Sequence, residues 1–182
     1  MSKIEEILKF NKQFVENKSY EQYITTKYPN KKIAILSCMD TRLTELLPAA
    51  LNLKNGDVKM VKNAGALISH PFGSVMRSLI VAIYDLGVHE IVVINHYDCG
   101  MQSVNPQAMI EKMIERGVSQ ADLDFINYLG IDFNGWMKGF EDPFISVKET
   151  VKIIREHPLI PKDMLVSGFL MDPVTGKLDV VE

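Results

Sequence analysis

A chain of 182 residues has the length of one domain, enough to bury a sizeable core and too little for two full ones. Apolar residues make up 47% and charged residues 24%, which excludes a disordered or fibrous protein. A net charge of −3 with scattered Lys and Arg lacks the massed basic patch that nucleic acid requires.

The longest apolar runs, LIVAIY and IVVI, are too short to span a bilayer. The opening MSKIEEILKF carries charged residues where a signal peptide needs an apolar stretch. No membrane partner is expected, and the chain is read as one cytoplasmic domain over 1–182.

Residues 2–17 place Ile4, Ile7, Leu8, Phe14 and Val15 at helical spacing with Lys and Glu between them, predicting an amphipathic helix. KKIAILSC (31–38) is a short apolar run that breaks into polar MDTR, the pattern of a buried strand emptying into a loop. A short helix is expected around Thr44 to Leu51. Asn55-Gly56 then marks a turn before a second strand, DVKMVKNA, which ends at Asn63-Ala64-Gly65. Val75, Leu79, Ile80, Ile83 and Leu86 form a helical stripe stopped by Gly87, predicting a crossover helix over 74–86.

HEIVVINH (89–96) is the third strand, again emptying into a polar turn, YDCG. Residues 104–140 read as short helices broken at Gly117, Gly130 and Gly135. A further helix is expected over 144–157, ended by His157-Pro158. MLVSGFLMD is the last apolar strand, and KLDVV after the turn at Pro173, Thr175 and Gly176 can pair back as an antiparallel terminal strand.

Alternating apolar strands and helices predict an α/β fold: a mostly parallel sheet of about four strands flanked by helices. Ligands of such sheets bind beyond the carboxyl ends of the strands. Both cysteines lie at such ends, Cys38 after the first strand and Cys99 after the third. If those strands are neighbours, roughly 4.8 Å apart, their terminal side chains converge.

Two cysteines are too few for a secreted disulfide framework. Taken alone, they fit a single disulfide about as well as a metal site, and their neighbours separate the two readings. Cys38-Met39-Asp40-Thr41-Arg42 and His96-Tyr97-Asp98-Cys99-Gly100 supply two thiolates and one imidazole, a zinc set with a fourth tetrahedral position left for water or substrate. A closed structural site would need Asp40 or Asp98 as permanent fourth ligand. In extended backbone Asp40 and Arg42 share a side, so the guanidinium can grip the carboxylate bidentately.

Cys38-x-Asp40-x-Arg42 followed by His96-x-x-Cys99-Gly100 resembles the paired signature of β-class carbonic anhydrases, from about Lys32 to Met101 and including Asn63-Ala64-Gly65. The resemblance implies a zinc ion held by Cys38, His96 and Cys99, and reversible hydration of carbon dioxide to bicarbonate by a zinc-bound hydroxide. It also implies Asp40 and Arg42 as catalytic residues, Asn63, Ala64 and Gly65 as a loop beside the substrate, and a homodimer or larger homo-oligomer. In the family the Asp either pairs with its Arg or swings onto the metal and closes the site.

The chain departs from many members at Pro29, Thr41, Lys62 and Asn95, where Gln, Ser, Arg and Gly are common, so it resembles a short, divergent branch. Relatives on this scaffold hydrolyse carbon disulfide or carbonyl sulfide, which is the alternative activity. A non-catalytic, zinc-stabilised regulatory protein closed by Asp40 is a third reading. Among the remaining residues, His70 is a candidate proton shuttle, and His89 and His157 are read as structural, with His157 favouring a helix C-terminal dipole. Asp98 either orients a ligand or caps a turn. Trp136 and the Met residues are expected to fill the core.

Overall fold

The computed structural model describes residues 2–182. A five-stranded sheet in the order β2-β1-β3-β4-β5 carries the fold. Its strands are β1 (Ile33–Cys38), β2 (Val58–Asn63), β3 (Glu90–His96), β4 (Leu165–Met171) and β5 (Leu178–Val180). The first four run parallel, and β5 pairs with β4 antiparallel. The expected fold class and the terminal antiparallel strand are therefore both present.

Helices cover both faces because side chains of a strand alternate. Ala34, Leu36, Ile91, Val93, Val166 and Leu170 face α3 (Ser74–Tyr84) and α7 (Pro143–Glu156), meeting Met76, Leu79, Val147, Val151 and Ile154. On the other face Ile35, Ile94 and Met171 pack on Leu43 and Leu47 of α2 (Leu43–Ala50). Gly168 lets α7 lie close on the sheet, since a Cβ there would run into Val147 and Val151.

From β1 the chain moves to one side to make β2, then crosses to the other side to make β3. The strand order reverses between β1 and β3, and in open α/β sheets the crevice at such a switch point is where ligands bind. The adjacency that sequence left conditional is present: Ile33 to Ser37 pair with Glu90 to Ile94.

Outside the sheet, α1 (Lys3–Glu16) opens with a reciprocal cap, the Ser2 N–H donating to Glu5 and the Glu5 N–H to the Ser2 hydroxyl. None of its residues is buried, and Ile4, Ile7, Leu8 and Phe10 are all more than 60% exposed. The excursion at 104–140 folds as α4 (Pro106–Glu115), α5 (Gln120–Tyr128) and α6 (Phe133–Met137).

Two expectations are corrected. Gly117 and Gly130 do break helices, but Gly135 sits inside α6, where Asp132 caps its N–H. Trp136 is 59% exposed rather than in the core, packed beside Phe133, and Met39 and Met60 are exposed as well. His157 is buried and bonded on both ring nitrogens, to the Pro71 carbonyl at 2.9 Å and the Leu159 N–H at 3.2 Å. The ring therefore ties the C-terminal end of α7 to the loop at Pro71, the structural role expected of it. No helix of the described residues is long and apolar enough to cross a membrane.

Candidate metal centre

Cys38 is the last residue of β1 and His96 the last of β3, and Cys99 follows His96 across a tight turn. Their donor atoms all lie within 4.8 Å of one another and all three residues are buried. The two sulfurs are 3.8 Å apart, far beyond the roughly 2.05 Å of a disulfide. Two thiolates on a tetrahedral zinc, each at about 2.3 Å, would be separated by about 3.8 Å. The spacing matches the edge of a zinc tetrahedron.

His96 is oriented by its own turn. Its Nδ1 lies 2.9 Å from the Tyr97 carbonyl; a carbonyl only accepts, so Nδ1 carries a hydrogen and Nε2 is left to face the sulfurs. Nε2 is buried with no hydrogen-bond partner among the described residues, a costly state that a metal ion would relieve. Asn95 secures the same residue from behind, its Oδ1 accepting from the His96 N–H at 2.8 Å.

The sulfurs split in acidity. The neighbouring Cys99 thiol, opposed by burial and helped by His96 and the N–H groups of Gly65 and Asp40, holds Cys38 well below the ordinary thiol range. Cys99 is pushed the opposite way by the Cys38 sulfur and by burial. Unaided, the pair holds one negative charge; a dication between them would deprotonate both. Burial opposes a charged His96, but the Cys38 sulfur and the Tyr97 carbonyl outweigh it and raise the imidazole. The donor set, the sulfur spacing and the unpartnered Nε2 all fit zinc.

Asp40 stands at the edge of this cluster, its Oδ2 3.7 Å from His96 Nε2. Arg42 grips it through both oxygens, Nε to Oδ1 at 3.0 Å and Nη2 to Oδ2 at 2.9 Å, and the Arg42 backbone N–H adds a third bond at 2.9 Å. The pair meets as expected but by a different geometry. Residues 41–42 form a turn leading into α2, with Arg42 at φ −63° and ψ −26°, rather than extended backbone. A side-chain oxygen accepting from the N–H two residues on closes that turn. Arg42 holds the Asp40 carboxyl down at about 2, with burial opposing.

Asn63, Ala64 and Gly65 lie alongside. Asn63 is registered opposite Cys38 and its carbonyl accepts from the Met39 N–H at 2.8 Å. Its side chain spans Leu67, donating to that carbonyl at 2.7 Å. Gly65 adopts φ +82°, and a Cβ there would meet Met101, Phe140 and Leu67 at 3.0 to 3.1 Å, so glycine is the residue this left-handed, crowded position favours.

Sequence reasoning missed the neighbours contributed by the chain beyond Cys99. Gln102 accepts from the Cys99 N–H at 3.3 Å and donates to the Glu141 carbonyl at 3.2 Å. Gly139 packs on the Met101 carbonyl, where a Cβ would overlap it. The Gln three residues after the Cys, returning to its N–H like a capping-box residue, was the available signal. His70 is exposed and its Nδ1 accepts from the Phe72 N–H, while His89 sits at the opposite end of β3 from the cluster.

A parallel sheet with a buried Cys-His-Cys cluster at its switch point defines a class of metal-dependent α/β enzyme. The profile of the family described as carbonic anhydrase matches residues 33–178. The Bacillus subtilis (strain 168) protein named "Putative carbonic anhydrase YtiB" is 52% identical over 181 residues, covering 100% of this chain and 97% of its own. The crystal structure of a β-carbonic anhydrase from Trichomonas vaginalis superposes with a TM-score of 0.91 at 35% identity, covering 100% of this chain and 98% of that one. A carbon disulfide hydrolase from Acidithiobacillus thiooxidans is 30% identical over 155 residues, covering 82% of this chain and 76% of its own. The chain belongs to the β-carbonic anhydrase family, a family of zinc enzymes, and is a carbonic anhydrase-like lyase.

Proposed function

We propose that Cys38, His96 and Cys99 hold a zinc ion and that the protein reversibly hydrates carbon dioxide to bicarbonate. The observation that carries this reading is the convergence of three buried donors beside a carboxylate that Arg42 holds back. When bound, zinc supplies Lewis acidity that makes a water molecule nucleophilic.

The chain's own residues do the rest. Asp40 stays ionised at every working pH and offers an oxygen to the hydrogen of the attacking water, which aims a lone pair at the carbon of carbon dioxide. Arg42 fixes the direction of that carboxylate. Leu67, Met101 and Phe140 pack around Gly65, and Met101 and Phe140 adjoin the core that contains Cys38 and Cys99; we read this apolar side of the site as suited to a small linear molecule without hydrogen-bond donors. We assign Asn63, Ala64 and Gly65, which run beside Cys38, to the substrate pocket.

Carbonyl sulfide and carbon disulfide are linear molecules of the same shape, and the Acidithiobacillus thiooxidans relative favours keeping their hydrolysis as the second reading. A regulatory site sealed by Asp40 has less support, because Arg42 binds both of its oxygens and would have to let go before the carboxylate could turn onto a metal, whereas their remaining lone pairs can still accept from water. We also read the chain as one cytoplasmic domain over 1–182 that assembles as a homodimer or larger homo-oligomer, for which the exposed apolar side chains of α1 provide a surface.

Stopped-flow hydration of carbon dioxide by zinc-loaded protein, with both sulfur compounds run alongside, tests the function. Rapid carbon dioxide turnover supports it. Turnover of a sulfur compound alone moves the assignment to the second reading, and none at full zinc occupancy returns it to a sealed site.

A further inference from the structure

Arg42 has a second anion partner that the reaction outlined above does not use. Its Nη1 donates to Asp98 Oδ2 at 2.9 Å and its Nη2 to the Asp98 backbone carbonyl at 2.9 Å. One edge of the guanidinium faces Asp40 and the other faces Asp98. Asp98 belongs to the turn between His96 and Cys99, while Asp40 and Arg42 follow Cys38, so this arginine fastens together the two loops that carry all three candidate ligands.

The Asp98 backbone is shaped for the contact. It sits at φ +55°, a left-handed conformation that Asp and Asn tolerate better than most residues, and this conformation turns both its carbonyl and its carboxylate toward Arg42. Its side chain is 86% exposed, and among the described residues Arg42 is the partner it bonds. Burial and packing therefore do not explain its position.

Arginine is long and flexible, and its side chain here is 38% exposed. Anchored by Asp40 alone, the two could swing together toward a cation beside His96, or Arg42 could leave for solvent and release the carboxylate. A second anchor, from the turn that follows β3, opposes both movements. On the metal-centre reading proposed above, we propose that Asp98 is a positioning residue: it holds the outer edge of the Arg42 guanidinium and thereby keeps Asp40 off the metal, leaving the fourth position open.

The test uses full-length protein loaded with cobalt(II) in place of zinc, with azide binding followed in the visible spectrum. Asp98→Gly keeps the left-handed turn and the backbone carbonyl but removes the carboxylate, and Asp98→Asn keeps an acceptor oxygen without the charge. Asp98→Gly is expected to weaken azide binding by roughly fivefold, the scale of a solvent-exposed ion pair, and Asp98→Asn to weaken it less. In an Asp40→Ala background, where no carboxylate is left to close the site, Asp98→Gly should change nothing.

Azide binding by Asp98→Gly that equals or exceeds wild type, or a loss that persists undiminished with Asp40→Ala, would overturn the role. Wild-type protein without thiolate-to-cobalt absorption would overturn the metal centre itself and this role with it. If carbon dioxide is not hydrated while the azide pattern holds, the substrate assignment fails and the role of Asp98 stands.

Discussion

The sulfurs of Cys38 and Cys99, 61 residues apart in the chain, lie 3.8 Å from each other, the edge length of a tetrahedral zinc site. Protein purified without chelator is accordingly expected to carry about one zinc per chain. Cys38→Ser and Cys99→Ser should each lose most of it, since a hydroxyl does not ionise to replace a thiolate. Elemental analysis of the three proteins reads this directly; metal-free wild type with oxidised thiols contradicts it.

The Arg42 to Asp40 pair predicts opposite consequences for its two members. Arg42→Ala frees the carboxylate to close the site, and turnover should drop roughly 10- to 100-fold with zinc retained. Asp40→Ala leaves the metal accessible to azide but the attacking water poorly aimed, with a fall in kcat and little change in zinc content. Rates at equal zinc occupancy decide it, and wild-type turnover by Arg42→Ala contradicts the arrangement.

Asp40 also makes a signed contribution to stability with pH. Its folded-state pKa of about 2 lies below the 3.8 of the free group. The stabilisation is therefore full above about pH 4 and disappears as pH falls through 2. Urea unfolding of the metal-free protein between pH 5 and 2 should show a shallower acid loss for Asp40→Asn than for wild type. Parallel curves would mean that the ion pair contributes nothing to folding.

Between pH 6 and 9 the Asp40 and Arg42 pair keeps its charges, because Asp40 ionises near 2 and Arg42 is raised further by its two carboxylates. If zinc is held as proposed, the two anionic sulfurs would offset its charge, so it would acidify a water molecule less than a site of three imidazoles does. Carbon dioxide hydration should therefore rise toward alkaline pH, and a flat profile across this range excludes that account.

At Gly139 a Cβ would overlap the Met101 carbonyl, a backbone group that cannot rotate away. Gly139→Ala is expected to destabilise the fold by about 1–3 kcal/mol and to quicken zinc release to a chelator, since Met101 follows Cys99 by two residues. Thermal unfolding and chelator kinetics measure the two effects.

The fold class and the donor types were legible in the sequence. IAILSC and EIVVINH are short, β-branched apolar runs that end in polar loops, the pattern of buried parallel strands. The spacings Cys-x-Asp-x-Arg and His-x-x-Cys restrict chemistry locally, because two cysteines and a histidine at strand ends suit few ions. Tertiary structure alone decided what those residues meet. The pairing of β1 with β3 and the second grip of Arg42 on Asp98 join atoms from distant parts of the chain, and the same closure buries His96 Nε2 without a partner among the described residues. Tertiary structure also decided the exposure of Trp136 and of α1. Local pattern fixes which face of an element is apolar, whereas sheet order, register and a left-handed residue such as Asp98 depend on which partners compete for each surface once the chain has closed.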